Sequence, residues 1–406
     1  MGITLAMILA LISGIGLKTS GADGFISMYD TYFLSPVTTM FMNALKMLIG
    51  PVVFFSLASC IASFENLSKV GRLAGKTMLL YTVTTLMAIS LGFGMYFLLQ
   101  PGAEGIANIQ GTFSTSIKDV SLLDTIVSII PNNFLAPFVK MDTLQLVFMA
   151  LLTGSAVSLM KENGRPLAVW LERLNQLFLK MVSLIVVFIP LVTYTSFTRV
   201  ILLTGMETII YLIKFIGTVL LTMMLMLAVY SIIILMAGRR NPLVFLRKFT
   251  PNMLMGFLLS SSSALIPYNL ETCKAKLGID KGVCSFTIPF GATINMDGNG
   301  IYMAVAGLMM AHLYGMTITP SMLGSAAIVS LFLTFSTPGV PGAGLVCISL
   351  LFQQIGLPME AVGLFVGIDT LMGRLVTFLN ITGDAAMTTV VAATENAINN
   401  EVYYSR

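Results

Sequence analysis

The run SLFLTFSTPGVPGAGLVCISLLF, residues 330–352, decides the fold. Both ends are apolar. The middle, Ser336-Thr337-Pro338-Gly339-Val340-Pro341-Gly342, holds two prolines that lack an N–H and two glycines that loosen the chain. The apolar piece at 318–353 is therefore too broken for one spanning helix. An earlier piece, 243–269, is interrupted in the same way by Ser260-Ser261-Ser262-Ser263 and Pro267. Each suits a re-entrant hairpin with a non-helical tip. Such backbone is tolerated at membrane depth only where it is buried in protein or lines a cavity.

Each broken piece precedes a long run with polar residues at its centre: 281–311, with NMDGNG at 295–300, and 360–396, with NITGD at 380–384. The order occurs twice, which predicts inverted structural repeats with a binding site between them. Upstream, the hydropathy predicts helices at 2–17, 34–63 and 74–99, then a polar loop at 100–120. Apolar segments follow at 121–160, 166–203 and 207–237, with breaks or kinks expected at Pro131, Pro137 and Pro190.

Composition agrees. Of 406 residues, 56% are hydrophobic and 10% charged, against about 25% charged in a soluble domain. Many of the runs reach the roughly 20 residues that a spanning helix needs. The net charge of +4 is small and sits at the ends of apolar runs, which fits membrane topology and not nucleic-acid binding. With a cytoplasmic N-terminus, the loops with Lys69, Arg72 and Lys76, with Lys161 and Arg165, with Arg239, Arg240, Arg247 and Lys248, and with Lys274, Lys276 and Lys281 all fall inside. Lys18, Lys118 and Arg199 are the exceptions. Both termini are then cytoplasmic and the expected location is the cell membrane. The first apolar run has no basic leader, so it reads as a retained helix. Cys60, Cys273, Cys284 and Cys347 lack metal-ligand spacing and read as core thiols.

Three carboxylates fall at bilayer depth: Asp297, Asp369 and Asp384. An ionised carboxylate there is costly unless paired or bound to a cation. Gly298 and Gly300 weaken the helix beside Asp297, and freed carbonyls with a carboxylate and an amide make an oxygen cage for a hard cation such as Na+. Asp384 in NITGD has the same ingredients. Asp369 is open to two readings, cation binding or bracing a neighbouring helix. Arg374 either pairs with an aspartate or meets a substrate carboxylate. The serine run offers hydroxyls and N–H groups as an anion cradle. A hydrolase built on it would need a base, and the single histidine, His312, reads as interfacial.

Five separated motifs, NALKMLIGPVVFFSLASCIAS, SSSSALIP, GATINMDG, TPGVPGAG and NITGD, together resemble the dicarboxylate/amino acid:cation symporter family. The resemblance implies an all-α membrane protein with eight transmembrane helices and two re-entrant hairpins, working as an elevator within a homotrimer. It implies scaffold helices one and two in 1–73, a mobile third helix in 74–100, scaffold helices four and five with an extracellular loop in 101–206, and a transport domain in 207–406.

The resemblance also implies sodium ligands. Gly291, Asn295, Asn380 and Asp384 would form one site, and backbone oxygens of Thr293, Met296, Thr334, Phe335 and Thr337 a second. Thr84 and Thr85 with Asn295 and Asp297 would form a third. Carried over in the same way, the substrate site takes in Ser261, Ser262, Ser263, Asn299, Pro341, Gly344, Gly373, Arg374, Val376, Thr377 and Asn380. Five positions depart from the family pattern, and one is compensated: Ser260 stands where the archaeal member has an arginine at the first tip, and Arg374 keeps a cation near the same spot, as in the animal members. Val376 stands where its acidic amino acid transporters carry an arginine, Gly373 where they carry an aspartate for the amino group, and Asn299 where they carry a threonine. Met303 replaces the proton-binding glutamate of the animal members.

The expected function is sodium-coupled symport of a small carboxylate-containing solute across the bilayer, with no enzymatic activity and no nucleic-acid partner. A neutral amino acid:sodium symporter and an anion channel on the same fold are the alternatives. Because no carboxylate stands at Gly373, a mono- or dicarboxylate without an amino group fits that gap better than an amino acid does.

Overall fold

The computed structural model describes residues 2–62, 71–101, 127, 129–140, 143–204, 207–337, 339, 342–357 and 359–405. Pro338, Val340, Pro341 and most of the expected polar loop lie outside them. The described chain is helical throughout, apart from loops and one isolated bridge between Ile279 and Ile398.

The first half comprises α1 (Gly2–Ser20), α2 (Asp23–Tyr29), α3 (Ser35–Ala62), α4 (Gly71–Leu99), the short α5 (Ala136–Lys140), α6 (Thr143–Leu159), α7 (Arg165–Val186) and α8 (Ile189–Thr204). A π-helical turn, Asp30–Leu34, joins α2 to α3. Pro190 opens α8, and the chain bends by 55° between 161–185 and 189–199, the break expected there. The second half begins with α9 (Glu207–Met236).

Two pairs of shorter helices follow. The first pair is α10 (Pro242–Leu259) and α11 (Ile266–Ala275). Asn241 caps α10, its Oδ1 accepting from the Leu243 N–H, and Ser260 ends it in the left-handed region at φ 53°. The second pair is α14 (Pro320–Ser336) and α15 (Ala343–Gln354), with Thr319 capping α14. Between the pairs run α12 (Lys281–Ile294) and α13 (Asp297–Leu313), parted at Asn295 and Met296, whose ψ of 75° and 56° are non-helical. The chain ends in α16 (Gly363–Val366), α17 (Asp369–Thr394) and α18 (Asn400–Tyr404). α17 runs unbroken through NITGD.

Among the described residues, three helices are long and apolar enough to cross a membrane: 72–99, 210–236 and 369–394. On α9, Ile213, Leu220, Leu221, Leu225 and Ile232 are exposed, so this long apolar helix turns large hydrophobic side chains outward.

Two sets of helix packings stand out, and they touch through α14 on α3 and α6, α16 on α8 and α9 on α8. In one, α3 packs on α6 and α7, and α1 packs on α8. In the other, α17 is surrounded by α9, α10, α12 and α13, with α4 against α13. Three of the basic residues expected at cytoplasmic ends contact the segment after α17. Arg72 and Lys76, opening α4, pair with Glu395 just after α17, and Lys248 donates to the carbonyls of Lys276 and Val402.

Candidate functional site: a buried carboxylate cluster beside a small cavity

The break at Asn295–Met296 brings Asn295 and Asp297 against Asp384 of α17. Asn295, Asp297 and Asp384 are all fully buried, as are Thr84 and Thr85 of α4. The Asn295 amide donates to Asp384 Oδ1 at 3.1 Å, and Thr84 Oγ1 donates to Asn295 Oδ1 at 3.3 Å. Thr85 Oγ1 donates to Asp297 Oδ1 at 2.7 Å, and the Tyr230 hydroxyl of α9 donates to Asp297 Oδ2. Asp297 is thus satisfied on both oxygens by hydroxyls. Asp384 is not: its Oδ2 is buried with no hydrogen-bond partner among the described residues.

Gly291 and Gly383 make room for this cluster. A side chain at Gly291 would start 2.5 Å from Asp384 Oδ1 and 2.6 Å from the Tyr81 hydroxyl, which donates to the Thr287 carbonyl. A side chain at Gly383 would meet the Tyr230 hydroxyl at 2.6 Å. The break also leaves the last carbonyls of α12, among them Thr293, without intrahelical donors, and the end of α14 does the same at Thr334 and Phe335. The side chains of Thr334 and Thr337 turn back onto α14, donating to the carbonyls of Leu331 and Leu333. Among the described residues no three His, Cys, Asp or Glu side chains group as metal ligands. The donor set is hydroxyl, amide, carbonyl and carboxylate oxygen, which suits a hard cation, and an orphaned buried carboxylate oxygen is what such an ion would satisfy.

A cavity of about 30 Å³ adjoins the cluster. Five of its lining residues, Asp369, Gly373, Val376, Thr377 and Asn380, recur at helical spacing and form one stripe of α17. Ser260 and Ser262 line it from the first tip, Met296, Asn299 and Tyr302 from the break and α13, and Gly339 and Gly342 to Gly344 from the second. The two tips meet at its mouth. Ser261 Oγ donates to the Gly339 carbonyl at 2.8 Å, and the Ser263 N–H reaches the same oxygen at 3.3 Å. Gly342, at φ 84°, opens α15 with no capping side chain, so the first N–H groups of that helix border the cavity.

Asn380 joins the two regions. Its Oδ1 accepts from the Gly298 N–H at 2.8 Å, and its amide contacts Met296 Sδ at 3.0 Å. A change in the cavity is therefore felt one residue away from Asn295 and Asp297.

Of the substrate residues inferred from sequence, Ser262, Asn299, Gly344, Gly373, Val376, Thr377 and Asn380 line the cavity. Ser261 and Ser263 hold its mouth. Arg374 lies off the stripe, its guanidinium 6.0 Å from the Phe257 ring centroid on α10. Pro341 lies outside the described residues. Tyr230 escaped the sequence reading, because a single hydroxyl in a strongly apolar run reads as packing. His312 is bonded to the Tyr96 hydroxyl at 2.9 Å.

This arrangement of paired helix tips, broken helix and buried carboxylates is that of a solute carrier. The chain belongs to the sodium:dicarboxylate symporter family, which it matches over residues 1–394. It is 27% identical over 378 residues to the proton/sodium-glutamate symport protein of Bacillus subtilis (strain 168), covering 90% of this chain and 87% of that one. It is 28% identical over 375 residues to the C4-dicarboxylate transport protein of Paraburkholderia phymatum, covering 90% and 88%. The C4-dicarboxylate transport protein of Xylella fastidiosa (strain 9a5c) is also 28% identical, over 376 residues.

Proposed function

We propose that the protein is a sodium-coupled symporter of a small carboxylate-containing solute. The observation that carries this is Asp384 Oδ2, a fully buried carboxylate oxygen with no hydrogen-bond partner among the described residues, beside Asn295 and Asp297. Sodium entering the cage of Asn295, Asp297, Asp384, Thr84 and Thr85 neutralises charge that is otherwise costly to bury. Carbonyls at Gly291, Thr293, Met296, Thr334, Phe335 and Thr337 supply further oxygens. The solute carboxylate docks on the N–H groups of the two tips and on Asn380.

Coupling follows from the shared contact at Asn380. Sodium fixes the break at Asn295–Met296, and the break sets the cavity wall through Gly298. A cavity of about 30 Å³ has room for little more than a water or two. Solute therefore enters only when the tips part at Gly339.

The same reading has eight transmembrane helices with the two helix pairs as re-entrant hairpins, and cytoplasmic termini in the cell membrane. The group around α17 slides as an elevator against a scaffold of α1, α3 and α6 to α8, within a homotrimer. The dense packing around α17, and the contacts of Arg72, Lys76 and Lys248 with the segment after it, support it. Uptake of labelled carboxylate solutes into membrane vesicles tests the function. An inward sodium gradient should be required, and equal uptake with choline in place of sodium would refute coupling.

A further inference from the structure

Asp369 belongs neither to the sodium cage nor to the carboxylate dock, yet it lines the cavity and is 3% exposed. Among the described residues nothing hydrogen-bonds its carboxylate, and no Lys, Arg or His lines the cavity. The nearest arginine in sequence, Arg374, is engaged over Phe257 on another face of α17. Tyr302 stands beside Asp369 on the same wall, its buried hydroxyl also without a partner among the described residues. A side chain beginning at Gly344 would lie 3.2 Å from both Asp369 Oδ1 and the Tyr302 ring, so this glycine keeps the carboxylate accessible. Gly373, one turn along the stripe, has no atom within 4 Å of where its side chain would begin, so space opens directly before Asp369.

An ionised carboxylate buried there is costly unless a cation or a proton meets it. The cavity offers no cationic side chain, so a cationic group on the solute is the partner the site is built to take. The first N–H groups of α15, which favour an anion, adjoin the same spot. Groups for an ammonium and for a carboxylate thus lie side by side, as the two charges on one α-carbon demand. A dicarboxylate would instead place its second charge against Asp369 with nothing to offset the repulsion. Val376 makes the remaining wall apolar.

We propose that Asp369 and Tyr302 form an ammonium subsite, so that the solute is a zwitterionic α-amino acid with a small uncharged side chain. This rests on the symport reading and departs from the expectation that the glycine at 373 disfavours an amino group. The carboxylate that serves it stands one turn earlier on the same face.

The test is a thermal-shift titration of the purified full-length protein in sodium and in choline, with L-alanine and L-serine as zwitterions and lactate and succinate as probes lacking the ammonium. Alanine or serine should raise Tm in sodium, with lactate and succinate at least about tenfold weaker. Asp369→Asn should weaken the amino acids at least about tenfold while the shift from sodium alone persists, which shows the variant is folded. Tyr302→Phe should weaken them severalfold in the same way. Succinate or lactate equal to alanine, no response to either amino acid, or undiminished alanine binding in Asp369→Asn would overturn the proposal. Alanine binding that is equal in choline but still lost in Asp369→Asn would refute sodium coupling and uphold the ammonium subsite.

Discussion

Asn295 donates its side-chain amide to Asp384 Oδ1 at 3.1 Å, and the other oxygen of that carboxylate is buried without a partner among the described residues. The bond joins the break in the α12–α13 segment to the middle of α17, so the two elements that build the cage are held by the group that lacks a counter-charge. Asp384→Asn keeps the shape and removes the charge. The sodium-induced rise in Tm should shrink, with apparent sodium affinity falling at least about tenfold, or about 1.4 kcal/mol. An unchanged sodium response in this variant would place the ion elsewhere.

Gly291→Ala should do similar damage by a different route. Its new Cβ would sit 2.5 Å from Asp384 Oδ1 and 2.6 Å from the Tyr81 hydroxyl, so the carboxylate must move. Gly217→Ala in α9 is the control, since nothing lies within 4 Å of its added Cβ. That substitution should be neutral or stabilise by up to about 1 kcal/mol. Sodium titrations of the two variants should therefore diverge.

Ser261→Ala removes the hydroxyl that bonds the Gly339 carbonyl across the cavity mouth. A neutral hydrogen bond contributes about 0.5–1.5 kcal/mol. If the contact forms only when the tips close over solute, solute affinity should fall about two- to tenfold with sodium binding in its absence unchanged. Solute and sodium titrations of the variant separate the two effects.

Glu395 accepts from Lys76 and Arg72, and these two cations, Lys76 first, hold its carboxyl below the usual glutamate range. A group whose folded value is depressed stabilises fully above its unfolded value and loses that contribution as pH falls through the folded one. Wild-type protein should therefore exceed Glu395→Gln in Tm at neutral pH, and the gap should close as pH drops below 4.5. The pairs are largely exposed, so the gap should be small and shrink with added salt.

The broken helix before Asp297 was legible because Gly298 and Gly300 sit in an apolar run beside Asn295 and Asp297. NITGD also sets a glycine beside a carboxylate, with a different result. Gly383 there permits the Tyr230 hydroxyl to approach, with 2.6 Å to the position of its Cβ, and the helix continues. A glycine that frees backbone and one that admits a neighbour look alike in sequence. Gly373, Val376, Thr377 and Asn380 came to the site through the resemblance and share one stripe with Asp369, while Arg374, assigned with them, falls about 100° off it at one residue past Gly373. What spacing lacked was the identity of the opposing wall, since Tyr302 and the start of α15 meet Asp369 only through the fold. The three carboxylates were visible as costly residues, but not that hydroxyls satisfy both oxygens of Asp297 and leave one of Asp384 bare.

Accumulation in proteoliposomes tests the central claim most directly. With an inward sodium gradient and purified protein as the only carrier, labelled solute should rise inside above its outside concentration, and a sodium ionophore should release it. Uptake that merely equilibrates, or that proceeds equally in choline, would contradict sodium-coupled symport.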